Sequence, residues 1–193
     1  MNIPKTHFFT QEDISLYELA QVFSVSCAWF EFGMGEQIAT FDLIVRDMPK
    51  NRNFLVYGGL EEVISFIKNW RYSRADVKQL EEAGVITKGF AEYLKNFKFR
   101  GDIYSMREGN IFFPGEIILR VEAPLMDANL LTMFLMVAIP SNTIFLSKII
   151  RSIMAAKDRK VVTGGGMRSN SFEAAMKYAR AAYIVDAKGP TTI

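Results

Sequence analysis

The chain has 193 residues, half of them hydrophobic and 23% charged, with a formal net charge of +2. That composition buries a core and excludes intrinsic disorder, and the charge is too small for nucleic-acid binding by bulk electrostatics. A single cysteine, Cys27, excludes an intrachain disulfide and fits a reducing cytoplasm; with one histidine, His7, it cannot build a zinc site.

Residues 1–12 read as an extended entry segment, without the basic and apolar regions of a signal peptide. Asp13 or Ser15 is the expected cap of a helix running to about Phe30, with Leu16, Leu19, Val22, Phe23 and Cys27 at helical spacing and Gly33 and Gly35 behind it. Residues 39–45 alternate, placing Phe41, Leu43 and Val45 on one face of a strand. After a polar loop, Phe54–Tyr57 reads as a second strand closed by Gly58-Gly59. A helix is expected from Leu60 to about Trp70, its apolar stripe made by Val63, Ile64, Phe66, Ile67 and Trp70. Ser73-Arg-Ala-Asp76 has the form of a capping box, and Phe90, Leu94 and Phe97 give one more helix.

A strand near 102–106 leads to the stretch around which the chain is organised. Ile111–Phe113 and Ile117–Val121 are rich in β-branched and aromatic residues, and Pro114-Gly115 supplies a turn, so a hairpin is expected. Residues 128–147 carry no formal charge, long enough to span a bilayer. Asn129, Thr132, Ser141, Asn142 and Thr143, with Pro140 in the middle, argue instead for two helices buried in protein, about 127–139 and 142–156. Val161–Thr163 reads as a strand, 164–169 as a Gly-rich turn, and a helix begins near Ser171 with Phe172, Met176, Ala179 and Tyr183 in register. Helix, strand, turn, helix is the rhythm of an α/β barrel or open sheet. The expected organisation is an α+β domain over residues 1–125, then a partial α/β-barrel segment over 126–193.

The chemistry-bearing candidates are few. In Gly164-Gly-Gly-Met-Arg168, glycines at a strand end let backbone N–H groups approach an anion, and Arg168 offers a planar fork; an ordinary tight turn has the same sequence. Tyr17 reads as an aromatic platform or a core tyrosine. Lys148 and Arg151, at i and i+3, read as a phosphate clamp or a charged helix edge. Glu108 and Glu116 flank the turn without forming an acid/base pair, and no Ser-His-Asp or Cys-His system is present.

Several segments together resemble nicotinate phosphoribosyltransferases, in that family's order. Leu16-Tyr-Glu-Leu19 is similar to the family's Asp-Leu-Tyr-Glu-Leu helix motif. Residues 39–49 resemble its Phe-x-x-x-Arg-x-x-Pro strand and loop, and residues 53–60 its Gly-Leu turn. Arg107-Glu-Gly-Asn-Ile-Phe-Phe-Pro-Gly-Glu116 is similar to its Pro-Glu-Gly-x-x-x-Phe-Pro-x-Glu-Pro signature. Lys148-Ile-Ile-Arg151 resembles Ala-x-Lys-x-x-Arg, and Gly166-Met-Arg168 resembles Gly-x-Arg-Arg. Departures are Ser15 for the family's Asp, Ile117 for Pro, Ser169 for the second Arg, and only a loose Gly189-Pro-Thr-Thr-Ile193 for a Gly-x-Thr-Ser-Asn loop.

The resemblance implies an α+β N-terminal domain followed by the first units of an incomplete, type II phosphoribosyltransferase-like α/β barrel. It implies formation of nicotinate mononucleotide from nicotinate and phosphoribosyl pyrophosphate, with ATP and Mg, in the cytoplasm and in a dimer with shared sites. It also implies that Tyr17 stacks on the nicotinate ring while Arg168, with Lys148 and Arg151, faces the anionic substrates. The family's phosphorylated histidine has no counterpart here. An α/β barrel needs about 250 residues, so residues 126–193 are expected to hold too few βα units to close one. The expected molecule is a half that pairs with its own copy or with a complementary C-terminal half chain. Its enzymatic reading stands beside that of a non-catalytic interaction or regulatory subunit. No membrane or nucleic-acid partner is expected.

Overall fold

A computed structural model describes residues 16, 18–48, 50–161 and 171–187. The described elements run α1 (Ala20–Glu31), β1 (Ile38–Ile44), β2 (Leu55–Val56), α2 (Leu60–Asn69), α3 (Arg74–Glu82), α4 (Lys88–Lys95), β3 (Asp102–Ser105), β4 (Ile111–Phe112), β5 (Ile117–Pro124), α5 (Leu125–Leu130), α6 (Thr132–Ala156) and α7 (Phe172–Ile184). The mixed α/β content agrees with the sequence. The strands form a three-stranded sheet in the order β1-β5-β3 and a two-stranded sheet of β2 and β4.

Two compact units emerge, interleaved along the chain. Of the described residues, the first holds 16, 18–40, 65–102 and 122–134, and the second holds 41–48, 50–64, 103–121, 135–161 and 171–187.

The first unit is an aromatic core wrapped by short helices. Trp70, Phe23, Phe90 and Leu94 are almost wholly buried. Phe66 stacks on Phe134 at 3.8 Å between centroids, and Trp70 meets Phe97 edge-on at 4.7 Å. Such pairs add about 0.5–1.5 kcal/mol each beyond the area they bury. The capping box is present as expected: Ser73 Oγ accepts from Asp76 N at 3.1 Å, and Asp76 accepts from Ser73 N at 2.8 Å. Asp13 and Ser15 lie outside the described residues, and α1 starts later than expected, at Ala20, with Leu19 as an N-cap that makes no side-chain bond. Glu18 instead turns to the backbone N–H of Met133, so the turn before α1 is spent on a contact with the start of α6.

In the second unit, Val56, Leu146, Ile149, Ala181 and Ala182 form the core, with Phe54, Phe145, Tyr178 and Ile184 packed against it. Two expectations are overturned here. The two strands flanking Pro114-Gly115 do not pair as a hairpin: β4 pairs antiparallel with β2 (Leu55 opposite Phe112, Val56 opposite Ile111), whereas β5 runs between β1 and β3. The turn itself forms, with Gly115 at φ +84° and its N–H donating to Val45 O at 2.9 Å. Turn chemistry specifies a change of direction, not the partner of each strand.

The second correction concerns Pro140, which does not divide two helices; α6 runs unbroken through it. Proline removes the bond to the carbonyl four residues back, which here belongs to the exposed Met136. One turn on, Ser141 Oγ and Asn142 Nδ2 donate to Ala138 O at 3.0 and 2.8 Å. By length and composition α6 could cross a membrane, but half of its most apolar window is buried inside the protein. Its polar groups have protein partners: Ser147 Oγ accepts from Val56 N at 2.9 Å, and Thr143 Oγ1 accepts from Gly58 N at 3.4 Å.

Helix α7 is capped by Ser171, which accepts from Ala174 N. Of its expected apolar register, Phe172, Met176 and Tyr183 are exposed, while Tyr178, Ala181, Ala182 and Ile184 pack inward. The small alanines allow close approach to α6, and that outweighs the larger side chains on the other face. The strand expected at 161–163 and the Gly-rich turn lie outside the described residues apart from Val161.

Candidate functional site

Gly58-Gly59 leads directly into α2, whose first N–H groups need acceptors. Glu108, in the loop between β3 and β4, provides one. Its Oε1 accepts from Gly59 N at 2.6 Å and from Leu60 N at 3.0 Å. From α7, Arg180 grips the same carboxylate, with Nη1 at 3.0 Å from Oε1 and Nη2 on Oε2, while also bonding Glu61. Burial alone would push the Glu108 carboxyl up, but Arg180 and the two amides outweigh it and hold the carboxyl below its ordinary range. Gly59 sits at φ +105°, and a Cβ there would meet Ala138 O at 2.9 Å. Only glycine fits this turn without strain.

Next along α7, Lys177 is pinched between Glu62 Oε1 at 2.9 Å and Glu173 Oε1 at 2.8 Å. Its burial is outweighed by the two carboxylates, which keep the ammonium charged. The acidic and basic groups here are thus mutually committed. They clasp α7 to α2 and to the loop before β4.

On α6 the balance differs. Arg151 donates to Ser147 O and Phe54 O, and its guanidinium lies over the Phe54 ring at 4.7 Å. Burial, and then the nearby positive charge of Arg52, make its charged form less favourable than usual. Lys148, one turn back, is exposed. Lys148, Arg151 and Arg52 make no ion pair among the described residues. Among the described residues this positive patch has no ion-pair partner, and such a patch attracts carboxylate and phosphate. Arg151 is anchored by its two carbonyls and the ring, so Lys148 and Arg52 are the freer donors. Arg52 and Arg180 escaped the reading of the sequence. Arg52 sits in a turn-rich loop, and Arg180 has no motif; only its position one turn past Lys177 on the same helix hinted at a shared role.

Two of the four expected site residues, Tyr17 and Arg168, lie outside the described residues. Lys148 and Arg151 are brought to one end of α6 with Arg52. Among the described residues no three His, Cys, Asp or Glu side chains converge as a metal site.

Comparison with known proteins places this arrangement. Residues 16–140 match the model of the nicotinate phosphoribosyltransferase N-terminal domain. The chain is 30% identical over 176 residues to nicotinate phosphoribosyltransferase pncB2 of Mycobacterium tuberculosis, covering 91% of this chain and 38% of that protein. It is 33% identical over 177 residues to the nicotinate phosphoribosyltransferase of Bacillus subtilis, covering 91% and 36%. In fold it resembles human nicotinic acid phosphoribosyltransferase, with a TM-score of 0.79 at 21% identity over 86% of this chain and 34% of that one. It also resembles a nicotinate-nucleotide pyrophosphorylase of Pyrococcus furiosus, with a TM-score of 0.67 at 19% identity over 97% and 41%. The chain spans somewhat over a third of the length of these curated relatives. The ordered motifs from Leu16 to Pro140, the Glu108 turn among them, therefore have one common origin: the chain belongs to the nicotinate phosphoribosyltransferase family.

Proposed function

We propose that the chain serves in making nicotinate mononucleotide from nicotinate and phosphoribosyl pyrophosphate, as the N-terminal portion of a catalytic assembly. The observation that carries this reading is the family match across residues 16–140. In the reaction, the pyridine nitrogen lone pair bonds to C1′ of the ribose while the C1′–O bond breaks and pyrophosphate departs with the electron pair. Positive groups that meet the departing pyrophosphate lower that barrier. Arg168 and Lys148 are assigned to the anionic substrates, with Arg151 adding field from its anchored place, and Tyr17 is assigned to the nicotinate ring. The patch of Lys148, Arg151 and Arg52 supports the electrostatic part. ATP and Mg belong to the reading by family alone. The cytoplasm is the proposed compartment.

The rest of the barrel is assigned to a second copy or a complementary C-terminal half chain. The exposed Phe172, Met176 and Tyr183 of α7 favour such a partner. The same feature supports a second reading, a non-catalytic subunit that acts only by association.

Calorimetry with nicotinate and with pyrophosphate, on the wild-type chain and on Tyr17→Ala and Arg168→Ala, separates the two. Binding of both ligands, each lost in its own variant, is the expected result. Absence of binding by the chain alone and with a complementary C-terminal half would overturn the catalytic reading in favour of the association subunit.

A further inference from the structure

Strand β1 is an outer strand of the three-stranded sheet, and among the described residues no strand pairs with its second edge. No residue of β1 is buried: Ile38, Thr40, Asp42 and Ile44 are exposed, while Ala39, Phe41 and Leu43 are half-buried. Ile38 is 73% exposed and Ile44 42%. β5, in the middle of the sheet, is mostly buried. An outer strand in this state presents a row of unpaired N–H and C=O groups, and such edges are usually guarded by Lys, Pro or a bulge. Ile38-Ala-Thr-Phe-Asp-Leu-Ile44 contains neither Lys nor Pro. Its one charge is neutralised within the sheet, where Arg120 Nε and Nη2 donate to Asp42 at 2.7 and 2.8 Å.

The direction of the backbone groups follows from the register on β5. Leu125 N donates to Gln37 O at 2.8 Å, and Gly115 N donates to Val45 O at 2.9 Å. Both acceptors are odd-numbered, and in an antiparallel ladder alternate residues turn their N–H and C=O to the same side. The even-numbered Ile38, Thr40, Asp42 and Ile44 therefore turn theirs to the open edge. An identical strand running antiparallel along that edge engages all four only when the register is centred on Phe41. Ile38 then lies opposite the partner's Ile44, and Thr40 opposite the partner's Asp42. Exposed isoleucines meet each other, each Thr40 hydroxyl faces a carboxylate to which it can donate, and the two Phe41 rings meet on the two-fold axis in a non-hydrogen-bonded pair, where side chains stand closest. Centring on Asp42 would oppose like charges. Centring on Thr40 would set Asp42 against Ile38 and carry Ile44 past the end of the partner's strand.

We propose that the open edge of β1 is a docking surface for a second copy of this chain, joined by antiparallel β1–β1 pairing about a two-fold axis at Phe41. Self-complementarity fixes the partner: one strand supplies both halves of every pair, and neither neighbouring register matches the charge. The four even-numbered residues of each copy exchange about eight backbone hydrogen bonds with the other. The two sheets become one continuous sheet, closed by an interface that is the same patch on both copies. One strand's width is a small interface, so association in the micromolar range is expected. It depends neither on the proposed reaction nor on the exposed face of α7.

The test treats Ile38→Cys and Ile44→Cys chains, each alone and then mixed, with a short bis-maleimide at about 50 µM protein. Cys27 is buried, and the unsubstituted chain controls for it. In the centred register the two introduced thiols of a mixed dimer sit on residues about 5.5 Å apart between Cα atoms. Two copies of the same variant place theirs about 20 Å apart. Cross-linked dimer is expected from the mixture, and about 10-fold less from either chain alone. Thr40→Pro in both chains removes an N–H from the open edge and none from the β5 ladder, so it should abolish the product while circular dichroism is unchanged. If that variant does not fold, Thr40→Glu, which sets a second carboxylate against the partner's Asp42, takes its place. Equal cross-linking alone and mixed, or product that survives in the folded Thr40 variant, would overturn the proposal. So would a chain that stays monomeric, or one that associates through α7 without cross-linking at β1.

Discussion

Replacing Glu108 by glutamine keeps the shape of the side chain and removes its charge. The structure gives the consequence a size. Glu108 is 16% exposed and Arg180 32% exposed, so the pair is largely desolvated. The carboxylate also accepts from two N–H groups at the start of α2. Hydrogen bonds to a charged group are worth about 1.5–3 kcal/mol, and removing one partner of a buried pair costs about 3–5 kcal/mol. Arg180 keeps Glu61 as a second partner, which places the loss at the low end, about 2–3 kcal/mol. With a urea slope of about 2 kcal/mol/M, the unfolding midpoint should fall by about 1–1.5 M. Because Glu108 is held below its ordinary value of 4.5, its contribution is present above that value and is lost as pH falls through the lowered one. The gap between wild type and Glu108→Gln should therefore close in acid. An Arg180→Met partner completes a double-mutant cycle, with an expected coupling of about 1–2 kcal/mol. A loss under about 0.5 kcal/mol, or a gap that does not change with pH, would refute the reading of Glu108 as a structural clasp.

Other substitutions probe the remaining assignments. Asp127 is fully buried and accepts from Tyr93 Oη at 2.9 Å and from Arg100 N, Nε and Nη2. Asp127→Ala should cost about 3 kcal/mol, seen as a fall of about 6–12 °C in the thermal midpoint. Gly59→Ala should cost more than Gly115→Ala in urea unfolding. Both sit at positive φ, but only at Gly59 would a Cβ meet a backbone carbonyl, and at Gly115 it meets nothing within 4 Å. On the basic patch, Lys148→Gln with Arg52→Gln should weaken pyrophosphate binding about 10-fold in calorimetry while leaving stability within about 0.5 kcal/mol. Arg151→Met should instead lower stability by about 1–2 kcal/mol, because the Phe54 and Ser147 carbonyls lose their donor.

What was legible in the chain is what nearest neighbours decide. Alternation in β1 and the Ser73 capping box depend on residues within one turn or one strand, and the structure shows both; of the α2 stripe Val63 is buried, Phe66 and Ile67 are half-buried, and Ile64 is exposed. What was not legible depends on distant partners. Pro114-Gly115 announces a turn, yet β4 finds β2 and β5 finds β1 and β3, which no local pattern specifies. Pro140 is a helix breaker by propensity, but the packing of Leu135, Ala138, Ile139 and Leu146 holds α6 together through it. In α7 two apolar faces compete. The larger residues suggest one face, whereas the alanines fit against α6, so hydrophobicity alone picks the wrong side. At the site the same rule holds: Lys148 and Arg151 are visible as i, i+3 neighbours, while Arg52 and the Glu108–Arg180 pair join only through folding.

The residues that give the family away do mechanical work in this fold. Glu108, at the head of the most specific motif, holds Arg180 and the start of α2. Gly58-Gly59 makes room for Leu146 and the backbone of α6. Glu18, inside Leu16-Tyr-Glu-Leu19, bonds the first turn of α6. Glu108, Gly59 and Glu18 are engaged in the framework, whereas Lys148 of the Lys148-Ile-Ile-Arg151 motif is exposed. A chain that had kept the framework but lost the reaction would still carry Glu108, Gly59 and Glu18, so their presence fixes ancestry and fold but leaves turnover open. Activity must be judged from residues that the framework does not need. Lys148 is exposed, and ligand binding that follows Lys148 and Arg168, rather than Glu108, is the result that would separate a working site from an inherited scaffold.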